Sequence, residues 1–105
     1  MIKEAQITAA VGIVRRAAPG ARVIVFGSHA RGDAREDSDL DLLVIEPEVT
    51  ARRAEMVRLR EALRPLGIPV DVQVASQRTF ERWANTPGTL LHDAAREGRV
   101  FDASS

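Results

Sequence analysis

Two short apolar runs, each next to a cluster of small polar and acidic residues, constrain this sequence most. Residues 22–26 are Arg-Val-Ile-Val-Phe, and Gly27-Ser28 follows directly. Ten residues then lead to Asp39-Leu40-Asp41, which begins a second apolar run that ends at Ile45. Short runs rich in branched apolar residues are typical of strands. The pattern predicts two strands joined by a tight turn and a polar loop.

The rest of the sequence alternates helical and strand patterns. Apolar residues spaced by three and four predict helices over 2–18 and 50–66, and capping and stop residues predict helices over 29–32, 77–83 and 87–97. The predicted strands are 22–26, 39–45, 69–75 and 99–101. The predicted N-caps are Ser28, Ser76 and Thr86, the last followed by Pro87. We expect an α/β (α+β) fold with a small mixed sheet of three to four strands flanked by helices, forming a single domain over 1–101 with a polar tail at 102–105. The strand order stays open.

Composition limits the partners and the compartment. The 105 residues include 15 basic and 15 acidic side chains, so the formal net charge is zero. We therefore expect no direct binding of nucleic acid through broad electrostatic attraction. The lack of cysteine excludes disulfides and thiolate metal sites. No apolar stretch approaches the roughly 20 residues that span a bilayer, and the N-terminus lacks the layout of a signal peptide. The expectation is a cytoplasmic protein without membrane association.

Three aspartates lie within or beside the predicted strands. Asp39 and Asp41 are one residue apart, so a strand would place both side chains on one face, where like charges repel. A bound cation would offset that repulsion, although a solvated strand start explains the pair equally well. Asp71 lies in a valine-rich run, where an unpaired carboxylate is costly to bury. If the two strands are neighbours, the three carboxylates form a site for two Mg²⁺ ions, as nucleotidyl transfer needs. The alternative for Asp71 is an exposed position on an edge strand.

The turn after the first predicted strand suits a phosphate group. Gly27 permits a positive φ and a close approach of the backbone to a ligand. Successive N–H groups at a helix start bind anions, and Ser28 adds a hydroxyl donor. Arg31 follows one short turn later and could reach a triphosphate, although a solvent-facing arginine is the ordinary alternative. Since glycine-serine turns are common, the turn indicates a nucleotide site only in combination with the aspartates. His29 is expected to be a loop residue and not a catalytic base.

The combination resembles a known family. Gly-Ser-His-Ala-Arg-Gly at 27–32, followed by Ser-Asp-Leu-Asp-Leu-Leu-Val at 38–44, is similar to the signature of the polymerase-beta-type nucleotidyltransferase superfamily. Within it, the string resembles the minimal nucleotidyltransferases, or MNT proteins. The resemblance covers 23–75, and the ending at 96–101 is also similar. It shows no departure from the core motif.

The resemblance implies a role for each motif residue. Gly27 and Ser28 would bind the triphosphate of ATP, Asp39 and Asp41 would bind both Mg²⁺ ions, and Asp71 would be the third carboxylate, which helps to deprotonate the acceptor hydroxyl. The family often serves as the antitoxin of a two-gene system, beside a helical HEPN toxin that is an RNase. The implied reaction transfers AMP from ATP to a tyrosine of that toxin, as in a type VII antitoxin. The implied assembly is a hetero-oligomer.

Two alternatives remain open at this point. The chain could neutralise a toxin by binding alone, with carboxylates that no longer act. It could instead modify a small molecule such as an aminoglycoside, although a chain of this length has no room for an additional acceptor-binding domain. The intact trio Asp39, Asp41 and Asp71 favours the enzyme, since a site released from selection is expected to lose a member.

Overall fold

The computed structural model describes residues 2–101, so the tail predicted for 102–105 lies outside the described residues. Within residues 2–101, five helices and four strands follow one another. The helices are α1 (Glu4–Ala17), α2 (Ser28–Arg31), α3 (Arg52–Leu63), α4 (Gln77–Trp83) and α5 (Leu90–Glu97), with a 3-10 turn at Arg64–Leu66 after α3. The strands are β1 (Arg22–Phe26), β2 (Leu40–Glu46), β3 (Val70–Ser76) and β4 (Arg99–Phe101).

The four strands form one mixed sheet in the order β3-β2-β1-β4. β1 pairs antiparallel with both β2 and β4, whereas β2 and β3 pair in parallel. A parallel pair needs a crossover connection, which α3 and the turn after it supply between β2 and β3. The predicted fold class, a small mixed sheet flanked by helices, is therefore confirmed, and the structure adds the strand order.

Helices cover both faces of the sheet. Successive side chains of a strand point to opposite faces, and these strands are apolar at nearly every position, so each face presents apolar side chains to a helix. One face packs against α1 and α3 and forms the larger core, which includes Val23, Val25, Leu40, Leu42, Val44, Val72 and Val74. The other face carries Ile24, Phe26, Leu43, Ile45 and Ala75, which pack with Ala94 and with the half-buried Phe80 and Leu91. Among residues 2–101, no helix has the length and apolar character to cross a membrane.

Several predicted bounds are wrong by one to three residues: α1 covers 4–17 and not 2–18, α3 covers 52–63 and not 50–66 because its last turn is 3-10, and β3 covers 70–76 and not 69–75. Three further differences lie at two helix caps and at the start of β2. Ser28 is the first residue of α2, and Gly27 is its N-cap, because a φ of 72° at Gly27 turns the chain so that its carbonyl accepts from Arg31 N–H. Thr89, not Thr86, caps α5, since Gly88 at φ 87° turns the chain just ahead of that helix. β2 begins at Leu40, one residue after Asp39. The predicted cap at Ser76 is confirmed: its hydroxyl accepts from the N–H of Thr79 at 3.1 Å.

Candidate active site

The parallel pairing of β2 with β3 brings two of the three candidate carboxylates together. Asp41 and Asp71 are direct partners in the register, and on its other side Asp41 is paired with Phe26, the last residue of β1. Neighbouring strands are about 4.8 Å apart, and residues paired in register share a face. Asp41 and Asp71 therefore lie side by side on the face covered by α4 and α5, and both are half-buried.

The pKa of Asp41 reflects its burial and the nearby carboxylates. Burial raises the pKa of its carboxyl above the ordinary value, and the charges of Asp71 and then Asp39 raise it further. His29 and Arg31 act on the pKa of Asp41 in the opposite direction and do not outweigh the other causes. The carboxylate of Asp41 thus lies where negative charge is costly, the environment in which a cation binds most favourably.

The backbone of Gly27 leaves room for that carboxylate. Gly27 follows Phe26 directly, so it lies next to Asp41 at the end of β1. A Cβ atom built at Gly27 would overlap the Oδ2 of Asp41. Its φ of 72° is also one that residues with a side chain rarely adopt. Two independent constraints therefore require glycine here: the turn into α2 and the space occupied by Asp41.

Asp39 lies at the exposed entrance to the site. The predicted strand included Asp39, but the observed strand β2 begins one residue later, at Leu40, whose N–H donates to Pro69 O at 2.9 Å. Within residues 2–101, no group of three or more histidine, aspartate or glutamate side chains has the spacing of a metal-binding site. The structure therefore brings Asp41 and Asp71 together, while Asp39 acts on Asp41 through its charge.

Hydrogen bonds of Ser38 with Arg35 and a contact of Ser38 with His29 hold the loop that carries Asp39, and the sequence analysis did not predict these contacts. Ser38 closes a turn with Arg35, accepting from Arg35 N–H at 2.8 Å through its hydroxyl and donating its own N–H to Arg35 O at 3.1 Å. The Nε2 of His29 lies 3.4 Å from Ser38 O. The sequence predicted a loop position for His29, but His29 lies in α2. Its contact with Ser38 therefore links the helix that follows Gly27 to the residue before Asp39.

The two remaining candidates for nucleotide binding, Ser28 and Arg31, are the first and last residues of α2. Ser28 is half-buried at its first position, where helix geometry leaves the first N–H groups without intrahelical acceptors. Arg31 is exposed at its last position and is paired with acidic side chains: its Nε is 3.3 Å from Asp33, and its guanidinium is 3.1 Å from Glu97 of α5. Arg31 therefore lies near the site, and its guanidinium forms ion pairs with Asp33 and Glu97.

A second titratable cluster lies at the opposite end of β2. Burial, a side-chain hydrogen bond with Glu55 and the charge of Glu55 raise the pKa of Glu46 to about 7. Hydrogen bonds from Arg58 and Glu46 lower the pKa of Glu55 to about 2, and both Arg58–Glu55 contacts are 2.7 Å long. The buried Oε2 of Glu46 has no partner while Glu46 is ionised, because a carboxylate cannot donate. Protonated, Glu46 donates to Glu55.

This pair predicts a stability that falls as the pH rises. The folded-state pKa of Glu46 lies above its ordinary value of 4.5, so the folded chain holds a proton that the unfolded chain releases. The stabilisation is present below pH 4.5 and is lost as the pH rises through about 7. The lowered pKa of Glu55 gives a stabilisation that is fully present above pH 4.5 and is lost only as the pH falls toward about 2, so it adds no slope above pH 4.5. We expect the urea midpoint to fall between pH 4.5 and 8.

Glu46→Gln tests the source of this pH dependence. Its amide donates to Glu55 at every pH, so the midpoint of this variant should fall less across the same range. The matched control is Glu48→Gln, which removes an exposed carboxylate two residues further along. Equal slopes for the native chain and Glu46→Gln would show that the pH dependence arises elsewhere.

Comparison with known proteins shows the family of the chain. The family described as the nucleotidyltransferase domain matches residues 7–95. The protein adenylyltransferase MntA of Thermococcus cleftensis is 44% identical to this chain over 53 residues, which are 50% of the chain and 52% of that protein. The chain therefore matches about half the length of this curated relative.

Solved structures extend the likeness over nearly the whole chain. A minimal nucleotidyltransferase superposes with a TM-score of 0.63 at 35% identity, over 94% of this chain and 95% of the other. A toxin–antitoxin complex with AMP-PNP gives a TM-score of 0.59 at 18% identity, over 94% and 72%, a likeness that shows the fold alone. With its matched sequence family and the fold of a minimal nucleotidyltransferase, the chain belongs to the nucleotidyltransferase domain family.

Proposed function

We propose that this chain is a Mg²⁺-dependent nucleotidyltransferase that transfers AMP from ATP to a hydroxyl group of a partner protein. The observation that carries the proposal is the pairing of Asp41 with Asp71 beside the Gly27 turn. The acidic pair would bind the metal ions, and the turn at Gly27 would bind the phosphates; a nucleotidyl-transfer site needs both. The name of the Thermococcus relative, a protein adenylyltransferase, supports a protein as the acceptor.

Gly27 and Ser28 would bind the triphosphate. The turn exposes the N–H groups at the start of α2, and the hydroxyl of Ser28 adds a donor. Arg31 would join them by exchanging its ion pairs with Asp33 and Glu97 for a phosphate. Both pairs are exposed, and exposed pairs of this kind contribute about 0–1 kcal/mol, so the exchange costs little.

Asp39, Asp41 and Asp71 would hold two Mg²⁺ ions. Carboxylate oxygens are the ligands that Mg²⁺ prefers, and the raised pKa of Asp41 reflects a repulsion that a cation would relieve. Asp39 is exposed, so we expect its side chain to turn toward the pair by a change of rotamer. When bound, the ions would neutralise the leaving pyrophosphate and lower the pKa of the attacking hydroxyl.

The side chains would then support an in-line substitution. The acceptor oxygen attacks the α-phosphorus and forms a new P–O bond, and the bond from the α-phosphorus to the bridging oxygen breaks. Pyrophosphate leaves on the side of Gly27 and Ser28, and the hydroxyl proton passes to Asp71. Rapid attack needs the acceptor oxygen about 3–3.5 Å from the phosphorus.

The partner we propose is a HEPN toxin encoded by a neighbouring gene, with a tyrosine as the acceptor and the cytoplasm as the compartment. The family resemblance supports this choice, and a solved toxin–antitoxin complex with the same fold agrees with it. We expect a hetero-oligomer of the two chains and no direct contact with nucleic acid.

Intact-mass spectrometry of the neighbouring gene product tests the proposal. After incubation with this chain and Mg²⁺–ATP, the neighbour should gain steps of about 329 Da, the mass of one AMP residue added by nucleotidyl transfer. Without the neighbour, turnover of ATP should stay close to background, because nothing then positions the hydroxyl.

Asp39→Asn is the control for this experiment, since it removes one metal-binding charge from an exposed position. It should abolish the mass steps. A neighbour that stays unmodified yet is neutralised equally by the native chain and by Asp39→Asn would contradict the proposal and support neutralisation by binding alone.

A further inference from the structure

A small pocket opens on the same face of the sheet as the candidate carboxylates. Leu43 and Gln73 form part of its lining, and they are register partners two residues beyond Asp41 and Asp71. Two residues along a strand correspond to about 6.6 Å. The pocket therefore begins directly behind the acidic pair, toward the carboxyl end of β2 and β3.

Three helices complete the lining. Leu90 and Leu91 of α5 contribute apolar side chains, Thr79 comes from α4, and Arg52 comes from α3. Leu90 is 43% exposed, so part of its side chain is accessible to a ligand. Arg52 donates to Gln73 Oε1 at 2.9 Å and to Val74 O at 2.8 Å, so the amide oxygen of Gln73 is occupied and its NH₂ group is the available donor.

The size of the pocket selects its occupant. Its volume is about 200 Å³. Ligand pockets for drug-sized molecules are about 300–1,000 Å³, whereas an apolar cavity of about 150 Å³ binds benzene. The pocket is therefore too small for a nucleotide and matches one aromatic ring. The leucines would contact the ring faces, and a guanidinium such as that of Arg52 is a favourable neighbour for a π system.

Its position fits the acceptor side of the reaction. In-line attack places the entering oxygen opposite the leaving pyrophosphate, which the proposed function assigns to the Gly27 turn after β1. The opposite side of Asp41 in the sheet is β3, and the pocket lies along β2 and β3. A ring held over Leu43 and Gln73 lies two residues along the strand, about 6.6 Å, from Asp71, so a phenol hydroxyl that points along the strand approaches the Asp71 carboxylate.

We propose that this pocket binds the aromatic ring that carries the acceptor hydroxyl. This inference rests on the proposed function and adds where the acceptor binds and why a phenol is chosen. A serine or threonine hydroxyl is attached directly to Cβ, so it cannot fill the pocket and reach Asp71 together. The pocket is thus a specificity determinant of the transfer reaction.

Methyl NMR with small probes tests the pocket without ATP. N-acetyl-L-tyrosinamide should shift the methyl signals of Leu43, Leu90 and Leu91, and N-acetyl-L-serinamide should leave them unchanged. Leu90→Ala should weaken the binding of the tyrosine probe by about five- to tenfold, since contact with the leucine methyls is lost. Val57→Ala is the matched control: Val57 is 51% exposed on α3 and outside this pocket, and its truncation should leave the affinity unchanged.

Three results would overturn the inference: no shift with the tyrosine probe, an equal shift with the serine probe, or an unchanged affinity in Leu90→Ala. Shifts of the same methyl signals by AMP would assign the pocket to the base instead. These failures are distinct from failure of the proposed function. A chain that modifies its neighbour but does not bind the tyrosine probe refutes the pocket only, and a chain that transfers no AMP refutes the proposed function.

Discussion

Asp71→Asn is expected to slow AMP transfer by about 10²- to 10⁴-fold, the range that removal of a general base produces. Asparagine keeps the shape of the side chain but cannot accept the proton of the attacking hydroxyl. It also removes one of the two charges that face each other across β2 and β3. Since Asp71 lies on the side of Asp41 away from the Gly27 turn, binding of ATP should change far less than turnover. Calorimetric titration with Mg²⁺–ATP and a radiolabelled transfer assay measure the two quantities.

Ser28→Ala is the matched variant on the other side of the site. It should weaken ATP binding by about 1.5–3 kcal/mol, the range for a hydrogen bond to a charged group, because the triphosphate loses a hydroxyl donor. Its transfer rate at saturating ATP should exceed that of Asp71→Asn. The assignment of roles fails if Asp71→Asn transfers AMP at the native rate, or if both variants lose only ATP affinity.

The strands and their facing were predictable because each depends on local pattern. Alternation in 39–45 separates Leu40, Leu42 and Val44 from Asp41, and the structure buries the three apolar side chains in the larger core. The alternation in 69–75 separates Asp71 from its valines in the same way. The sequence could not show that these strands are neighbours in register, because pairing depends on the crossover through α3 and on contacts distant in the chain.

The parts of the site that the sequence did not reveal depend on long-range contacts. Arg31 was expected to face a phosphate or solvent, yet Glu97, 66 residues further along, pairs with it. The position of Asp39 depends on the pairing of Leu40 with Pro69, which no local pattern encodes. In the sequence, Glu46 follows the predicted strand 39–45 and precedes Pro47, and nothing local indicates a partner. The packing of α3 against the sheet brings Glu55 to it.

Gly27→Ala is expected to impair both stability and transfer. A residue with a side chain at a φ of 72° costs about 1–3 kcal/mol, and here the added Cβ also overlaps the carboxylate of Asp41. Asp41 must then move away from its position beside Asp71. Because a displacement of about 1 Å at a reacting centre can cost 10²-fold in rate, transfer should fall by at least that factor. Urea denaturation and the radiolabelled assay measure the two effects.

Gly32→Ala separates the two causes. Gly32 ends α2 at φ 84° and ψ 13°, in the left-handed helical region, where alanine meets less backbone strain than at Gly27 with its φ of 72° and ψ of −152°. A Cβ at position 32 has no atom within 4 Å. The strain without the overlap should lower the free energy of unfolding by a smaller amount and leave transfer close to the native rate. If both variants lost transfer equally, strain in the turn would explain the requirement for glycine, and the contact between position 27 and Asp41 would have no role. A selective loss in Gly27→Ala would show that the turn and the acidic pair act as one site.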